Sequence, residues 1–190
     1  FVRVKADRYL HLPYLSKDRV GYNPDQDYTS AGFIPNEYLE AFKSCVFDLY
    51  NIDQSAPAHR RLYVTRQGAT RRRLTNEAEI AKYLTSEGFE TIDPGCLSHR
   101  DQVRLFHEAA FVVAQHGAAL TNLLYMRPGA LVEVFSSQEQ LQYYSQFAQT
   151  HDFAYRAISL DGKSKDADSE LPMEVLERVL HEIQYERQGA

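Results

Sequence analysis

An α/β fold is predicted for this chain: a Rossmann-like parallel sheet with helices on both faces. Three observations carry the expectation. From residue 61 onward, strand-sized apolar runs alternate with helical stretches in about five units. Two runs, Phe111–Ala114 and Ala130–Phe135, are apolar and short enough to be buried strands. Turn residues punctuate the alternation at Gly88, Asp93-Pro94-Gly95 and Arg127-Pro128-Gly129.

Residues 1–32 read as irregular, with Pro13, Gly21, Pro24 and Gly32 breaking them and a short strand at Phe1–Val4. Residues 36–50 read as a helix with Leu39, Phe42, Val46 and Leu49 on one face and Asn36 as its cap. Asn51–His59 is a polar connector. Leu62–Thr65 is a strand. Asn76 and Glu79 have capping-box spacing and open a helix over Asn76–Glu87, which Gly88 ends. Phe89–Ile92 is a strand. Ser98 and Asp101 repeat the capping-box spacing and open a helix to about Glu108. Ala110–Ala114 is a strand, Ala118–Tyr125 a helix, Ala130–Phe135 a strand, Gln138–Thr150 a helix and Phe153–Ile158 a strand. Asp161–Glu170 is an acidic loop, expected to be mobile. A last helix starts near Pro172 and buries Leu176, Val179, Leu180 and Ile183.

Composition excludes several classes. With 190 residues, 44% hydrophobic and 25% charged, the chain is globular and of ordinary domain size. No apolar run approaches a membrane span. A net charge of −5 argues against a broad nucleic-acid surface. Two cysteines, Cys45 and Cys96, are too few for a disulfide framework, and no Asn-x-Ser/Thr sequon occurs. Together these point to a cytoplasmic, bacterial setting. The chain opens at Phe1 with neither a methionine nor a signal-peptide pattern, and reads as a piece of a longer protein. P-loop, Gly-x-Gly-x-x-Gly, Cys-x-x-Cys and Gly-x-Ser-x-Gly motifs are all absent.

Parallel sheets bind ligands beyond the carboxyl ends of their strands. Two segments fall at that edge. After one strand comes Gln115-His116-Gly117-Ala118-Ala119-Leu120-Thr121-Asn122, a glycine turn into a helix start of small residues. Free helix amides and the positive end of a helix dipole suit an anion there. A helix packed closely on its sheet needs the same small residues for steric reasons alone. Gly117 would serve a close approach or a positive φ, and His116 is either a structural hydrogen-bonder or a site residue. After the other strand comes Arg66, followed by Arg71, Arg72 and Arg73, with Arg60 and Arg61 just before. A solvated charged loop accounts for any single one of these arginines. Beside the amide cradle, they point to a phosphate or diphosphate ligand. Glu133, inside an apolar strand, needs a partner: a nearby arginine or ribose hydroxyls. The triplets Asp25-Gln26-Asp27 and Asp166-Ala167-Asp168 lie in loops and read as surface charge, so no metal site is expected.

Residues 60–136 resemble glycosyltransferase family 61. The resemblance rests on Arg61-Leu62-Tyr63-Val64-Thr65-Arg66, then Arg71-Arg72-Arg73-Leu74-Thr75-Asn76-Glu77, Gly88-Phe89-Glu90, Asp93-Pro94 and Leu97-Ser98. It continues through Gln102-Val103, Phe106, Gln115–Asn122, Arg127-Pro128-Gly129-Ala130 and Val132-Glu133-Val134-Phe135. Ala119 stands where the family often has glycine. The resemblance implies an inverting glycosyltransferase of GT-B architecture that works without a metal, as in capsule and polysaccharide biosynthesis. Residues 59–190 would form its C-terminal, donor-binding domain. Residues 1–58 would be a leading segment and connecting helix, a remnant of or linker from an N-terminal domain. Arg66, Arg71 and Arg72 would meet the diphosphate of a UDP-linked donor. Gly117, Ala118, Ala119, Thr121 and Asn122 would cap that donor, Glu133 would lie near the nucleoside, and His116 is the candidate general base. The partners implied are a nucleotide sugar, a glycan or other hydroxyl acceptor, and an N-terminal domain or second copy. A non-catalytic nucleotide-binding module on the same fold is the alternative, and an RNA-binding domain a more distant one.

Overall fold

The computed structural model describes residues 36–136, 143–162 and 167–188 of the chain. Its elements are α1 (Asn36–Tyr50), β1 (Arg60–Val64), α2 (Glu77–Ser86), β2 (Glu90–Ile92), a 3₁₀ turn (Pro94–Cys96), α3 (His99–His107) and β3 (Ala109–Gln115). A 3₁₀ helix (Ala118–Tyr125), β4 (Ala130–Phe135), α4 (Tyr143–Thr150), β5 (Ala154–Ser159) and α5 (Met173–Gln188) follow. The five strands form one sheet in the order β2-β1-β3-β4-β5, and every pairing is parallel. Parallel neighbours need crossovers, and the helices supply them on both faces.

Each face has its own core. On one, Ile80 and Leu84 of α2 and Leu176, Leu180 and Ile183 of α5 pack on Tyr63, Val113 and Val132. On the other, Val46 and Phe47 of α1, Val103 and Phe106 of α3, Leu120 and Leu123 of the 3₁₀ helix and Ala148 of α4 pack on Leu62, Val112 and Leu131. The strands β3 and β4 are buried almost throughout, as the middle of a doubly covered sheet must be. Apolar burial docks α5. Leu176, Leu180 and Ile183 are 0% exposed, each worth roughly 2–3 kcal/mol. The surface pairs of Arg156 with Glu182 and Glu186 contribute about 0–1 kcal/mol each.

Local details depart from the sequence expectations in instructive ways. Ser98 caps α3 as its spacing predicts, its hydroxyl accepting the Asp101 N–H at 3.2 Å. Asn76 makes no such cap. Its amide instead brackets Leu171, donating to the carbonyl at 2.8 Å and accepting the N–H at 3.1 Å. The segment before α5 is thereby tied to the start of α2. Leu74 also bridges Ser169, and Arg73 ion-pairs with Asp168 at 2.6 Å. The carboxyl-terminal part of the loop expected to be mobile is therefore anchored. Gly88 ends α2 at φ 81°, a left-handed conformation that favours glycine. In α1, Val46 and Phe47 are buried while Phe42 and Leu49 are exposed, so the buried face is rotated from the predicted one. Cys45 and Cys96 are free and exposed. No helix among the described residues is long and apolar enough to cross a membrane. The strand expected at Phe1–Val4, the triplet Asp25-Gln26-Asp27 and the first turn of the helix expected from Gln138 lie outside the described residues.

Candidate active site at the strand switch point

The direction of winding reverses between β1 and β3. The chain leaves β1 through α2 on one face and leaves β2 through α3 on the other. The loops that follow β1 and β3 therefore diverge and open a crevice over the strand ends. The two sequence segments expected to hold a ligand meet there.

Arg66 follows β1. Its guanidinium crosses the crevice and Nη1 donates to the His116 carbonyl, which follows β3, at 3.2 Å. Gly117 makes room for it: a Cβ there would stand 2.2 Å from Arg66 Nη1. The φ of Gly117 is 169°, ordinary extended backbone, so space is the reason for glycine here. Burial, and then the charges of Arg72 and Arg71, pull the Arg66 pKa below the usual arginine value, with Glu77 acting the other way. The charges of Arg71 and Arg72 thus act against that of Arg66. The backbone of Arg72 sits at φ 58°, a conformation that costs a non-glycine residue about 1–2 kcal/mol. An anion would offset that opposition. Arg60 and Arg61 do not belong to this group. They begin β1, at the opposite edge of the sheet. Arg60 pairs with Glu90 and Glu108, and Arg61 lies 4.4 Å over the Phe89 ring. Arg73 is bound to Asp168.

The segment Ala118–Tyr125, expected to be a helix, is wound as a 3₁₀ helix. Its polar side chains favour the tighter winding. Thr121 Oγ1 donates to the Ala118 carbonyl at 2.7 Å and Asn122 Nδ2 to the Ala119 carbonyl at 3.1 Å, both three residues back. The first turn closes with Leu120 N–H on the Gly117 carbonyl at 3.0 Å, and no side chain caps the end. The amides of Ala118 and Ala119 precede that first bond and have no acceptor within the helix. Asn122 also donates to Gln102 at 3.0 Å, and Gln102 to the carbonyls of Pro94 and Leu97. Asn122 is therefore a brace between loops, and it lines the groove beside them. Ala118, Ala119 and Thr121 line a groove of about 500 Å³ with Pro94, Gly95 and Gln102.

On the β4 side of the crevice His116 Nδ1 lies 2.5 Å from Glu133 Oε1. A carboxylate only accepts, so Nδ1 carries a proton, and in the neutral ring that arrangement leaves the lone pair on Nε2. Register brings the pair together. Gln115 lies opposite Val134, and the His116 N–H extends the ladder to the Val134 carbonyl at 2.8 Å. Glu133 is 0% exposed, and its other oxygen accepts from the Tyr155 hydroxyl at 2.9 Å. It meets neither an arginine nor open space where a ribose could reach it. The imidazole stacks on Phe135 at 4.9 Å, with Tyr144 at 5.5 Å. Burial first and Glu133 second push the Tyr144 hydroxyl up to about 12, and raise the Tyr155 hydroxyl in the same order. Both hydroxyls stay protonated, and Tyr155 donates to Glu133. The His116 side chain keeps 14% exposure.

Sequence reasoning passed over Glu77, at the start of α2, and the aromatic wall of His116. No spacing in the sequence signals either: Glu77 meets its partners through the packing of α2 beside β1, and the wall of His116 joins Phe135 at the end of β4 to Tyr144 of α4. Among the described residues no group of three or more His, Cys, Asp or Glu side chains could hold a metal ion.

A family model described as Glycosyltransferase 61 matches residues 8–132. The match begins in the leading segment, upstream of the residue 60–136 block on which the resemblance rests, and stops one residue before Glu133. No curated protein matches the chain.

Proposed function

Because this chain belongs to the glycosyltransferase 61 family and is a glycosyltransferase, we propose that the crevice over the β1–β3 switch point is where a nucleotide sugar parts from its leaving group. The donor diphosphate lies against Arg66, Arg71, Arg72 and the amides of Ala118 and Ala119. The observation that carries this reading is the Arg66–His116 bridge across the switch point, with the charges of Arg71 and Arg72 acting on Arg66.

The chemistry is a single displacement with inversion. An acceptor hydroxyl oxygen bonds to the anomeric carbon as the bond from that carbon to the diphosphate oxygen breaks. The hydroxyl proton passes to His116 Nε2. Glu133 holds the ring by Nδ1–H and balances the imidazolium that forms. The charge on the departing diphosphate falls on the guanidinium groups and amides, which are in place beforehand. In this reading the cationic set does the work without a resident metal, and Glu133 serves His116 in place of the nucleoside. The donor is UDP-linked, the acceptor a growing bacterial polysaccharide, and the second half of a GT-B enzyme carries the acceptor site.

Calorimetric titration with UDP, GDP and CMP tests the donor site. One nucleotide is expected to bind, with Arg66→Ala weakening it at least tenfold while the fold persists. His116→Ala should bind that nucleotide normally yet slow hydrolysis of the matching nucleotide sugar by about 10²–10⁴-fold. Undiminished binding by Arg66→Ala would overturn the donor site. Binding with no turnover by the unsubstituted chain would point to a non-catalytic module.

A further inference from the structure

Glu77 is a buried acid with no place in the displacement just described. It is 7% exposed and sits on the first residue of α2. Three donors converge on its Oε1: the Tyr63 hydroxyl at 3.2 Å, the Thr65 hydroxyl in a short contact, and the Arg66 backbone N–H at 3.1 Å. Two come from side chains of β1 and the residue after it. The third is the amide of the residue whose guanidinium crosses to β3. Thr65 Oγ1 in turn accepts the Gln67 N–H at 3.2 Å, and the Ala69 N–H closes a turn on the Arg66 carbonyl at 2.8 Å. Two of the bonds that fix the backbone around Arg66, from its own N–H and from the Thr65 hydroxyl, end on one carboxylate oxygen.

The cost of this arrangement is informative. A buried carboxylate is unfavourable unless its hydrogen bonds are strong and complete. A helix N-terminus needs no carboxylate aimed backwards at the preceding strand. Glu77 also places one negative charge against Arg66, opposing the repulsion from Arg72 and Arg71. We propose that Glu77 is a positioning residue. It locks the loop after β1 so that the Arg66 guanidinium stands ready in the crevice for the diphosphate. This rests on the donor site proposed above.

If Glu77 acts through Arg66, its loss should matter only while Arg66 is present. The test is a double-mutant cycle on Glu77→Ala and Arg66→Ala, titrated with inorganic pyrophosphate and with UDP well below each variant's melting temperature. Glu77→Ala should weaken both ligands about tenfold, and the double variant should bind no more weakly than Arg66→Ala. Glu77→Gln keeps an acceptor oxygen and should recover part of the loss. Thr65→Val removes one donor and gives a milder version should Glu77→Ala not fold. Wild-type affinity in folded Glu77→Ala, or an equal loss in the Arg66→Ala background, would overturn the proposal. Failure of the unsubstituted chain to bind either ligand would overturn the donor site itself, and the role of Glu77 with it.

Discussion

At the residue scale, the site depends on one missing methyl group. Gly117 has an extended backbone that alanine adopts without strain. The obstacle to a side chain is the tip of Arg66, 2.2 Å from the would-be Cβ. Because that tip is the end of a flexible chain, Gly117→Ala should displace the guanidinium and leave the sheet intact. It should cost about 1 kcal/mol of stability through the lost bond to the His116 carbonyl. Nucleotide affinity should fall about as far as in Arg66→Ala. Chemical denaturation and calorimetry on the same samples check both halves, and a large loss of stability with affinity preserved would refute the account. The glycine was legible in the sequence, though as a place for a ligand or a positive φ. That an arginine from fifty residues earlier fills the space required the sheet order. Glu133 was legible in the same partial way. Its place in an apolar strand announced a need for partners. The partners, His116 and Tyr155, come from the strand on either side and depend on register.

At the scale of elements, sequence neighbours and spatial neighbours part company. Arg60 and Arg61 stand five or six residues before Arg66, but a strand advances about 3.3 Å per residue. That carries them to the far edge of the sheet, where acids and aromatic rings hold them. Helix faces mislead similarly. In α1 the apolar residues Leu39, Phe42, Val46 and Leu49 suggest a stripe, yet contact is confined to Val46, Phe47 and their surroundings. Phe47 packs edge-on against His107, the last residue of α3, with ring centroids 4.8 Å apart. His107 is 3% exposed, with Nδ1 facing the Tyr125 carbonyl and Nε2 facing Arg127. Burial first, with Arg127 and Lys43 adding to it, lowers its pKa below the usual 6.5, though backbone contacts to Tyr125 and Asp53 resist. The sign follows from linkage. The unfolded chain takes up a proton near pH 6.5 and the folded chain only at lower pH, so this contribution is complete above 6.5 and is lost as pH falls. His151, lowered chiefly by its own burial, adds to the same trend. The urea midpoint should therefore drop between pH 7 and pH 5. His107→Gln, which keeps an acceptor for Arg127, should flatten that drop. An unchanged pH profile in the variant would show that His107 is not its source.

At the scale of the whole molecule, the fold was readable because its logic is repetitive. Strands of apolar residues and helices with one apolar face recur, and parallel pairing follows from their alternation. The order of strands was not readable, and the site depends on that order. Placing β1 beside β3 puts two loops, separated by some fifty residues, across one crevice. The amino-terminal edge of the same sheet has charges of its own, but there Arg60 is paired with both Glu90 and Glu108. At the carboxyl edge the charges of Arg71 and Arg72 oppose that of Arg66. A bound diphosphate should therefore act on the molecule asymmetrically. Ligand held at one hundred times its dissociation constant adds about 2.7 kcal/mol to global stability. Beyond that uniform gain, hydrogen exchange should slow most at residues 65–69 and at the amides of Gly117, Ala118 and Ala119, which precede the first bond of their 3₁₀ helix. Amides at residues 59–61 and 108–110, at the other edge, should gain only the global term. Greater protection at that amino-terminal edge would move the anion site to Arg60 and Arg61 and undo the assignment of the crevice.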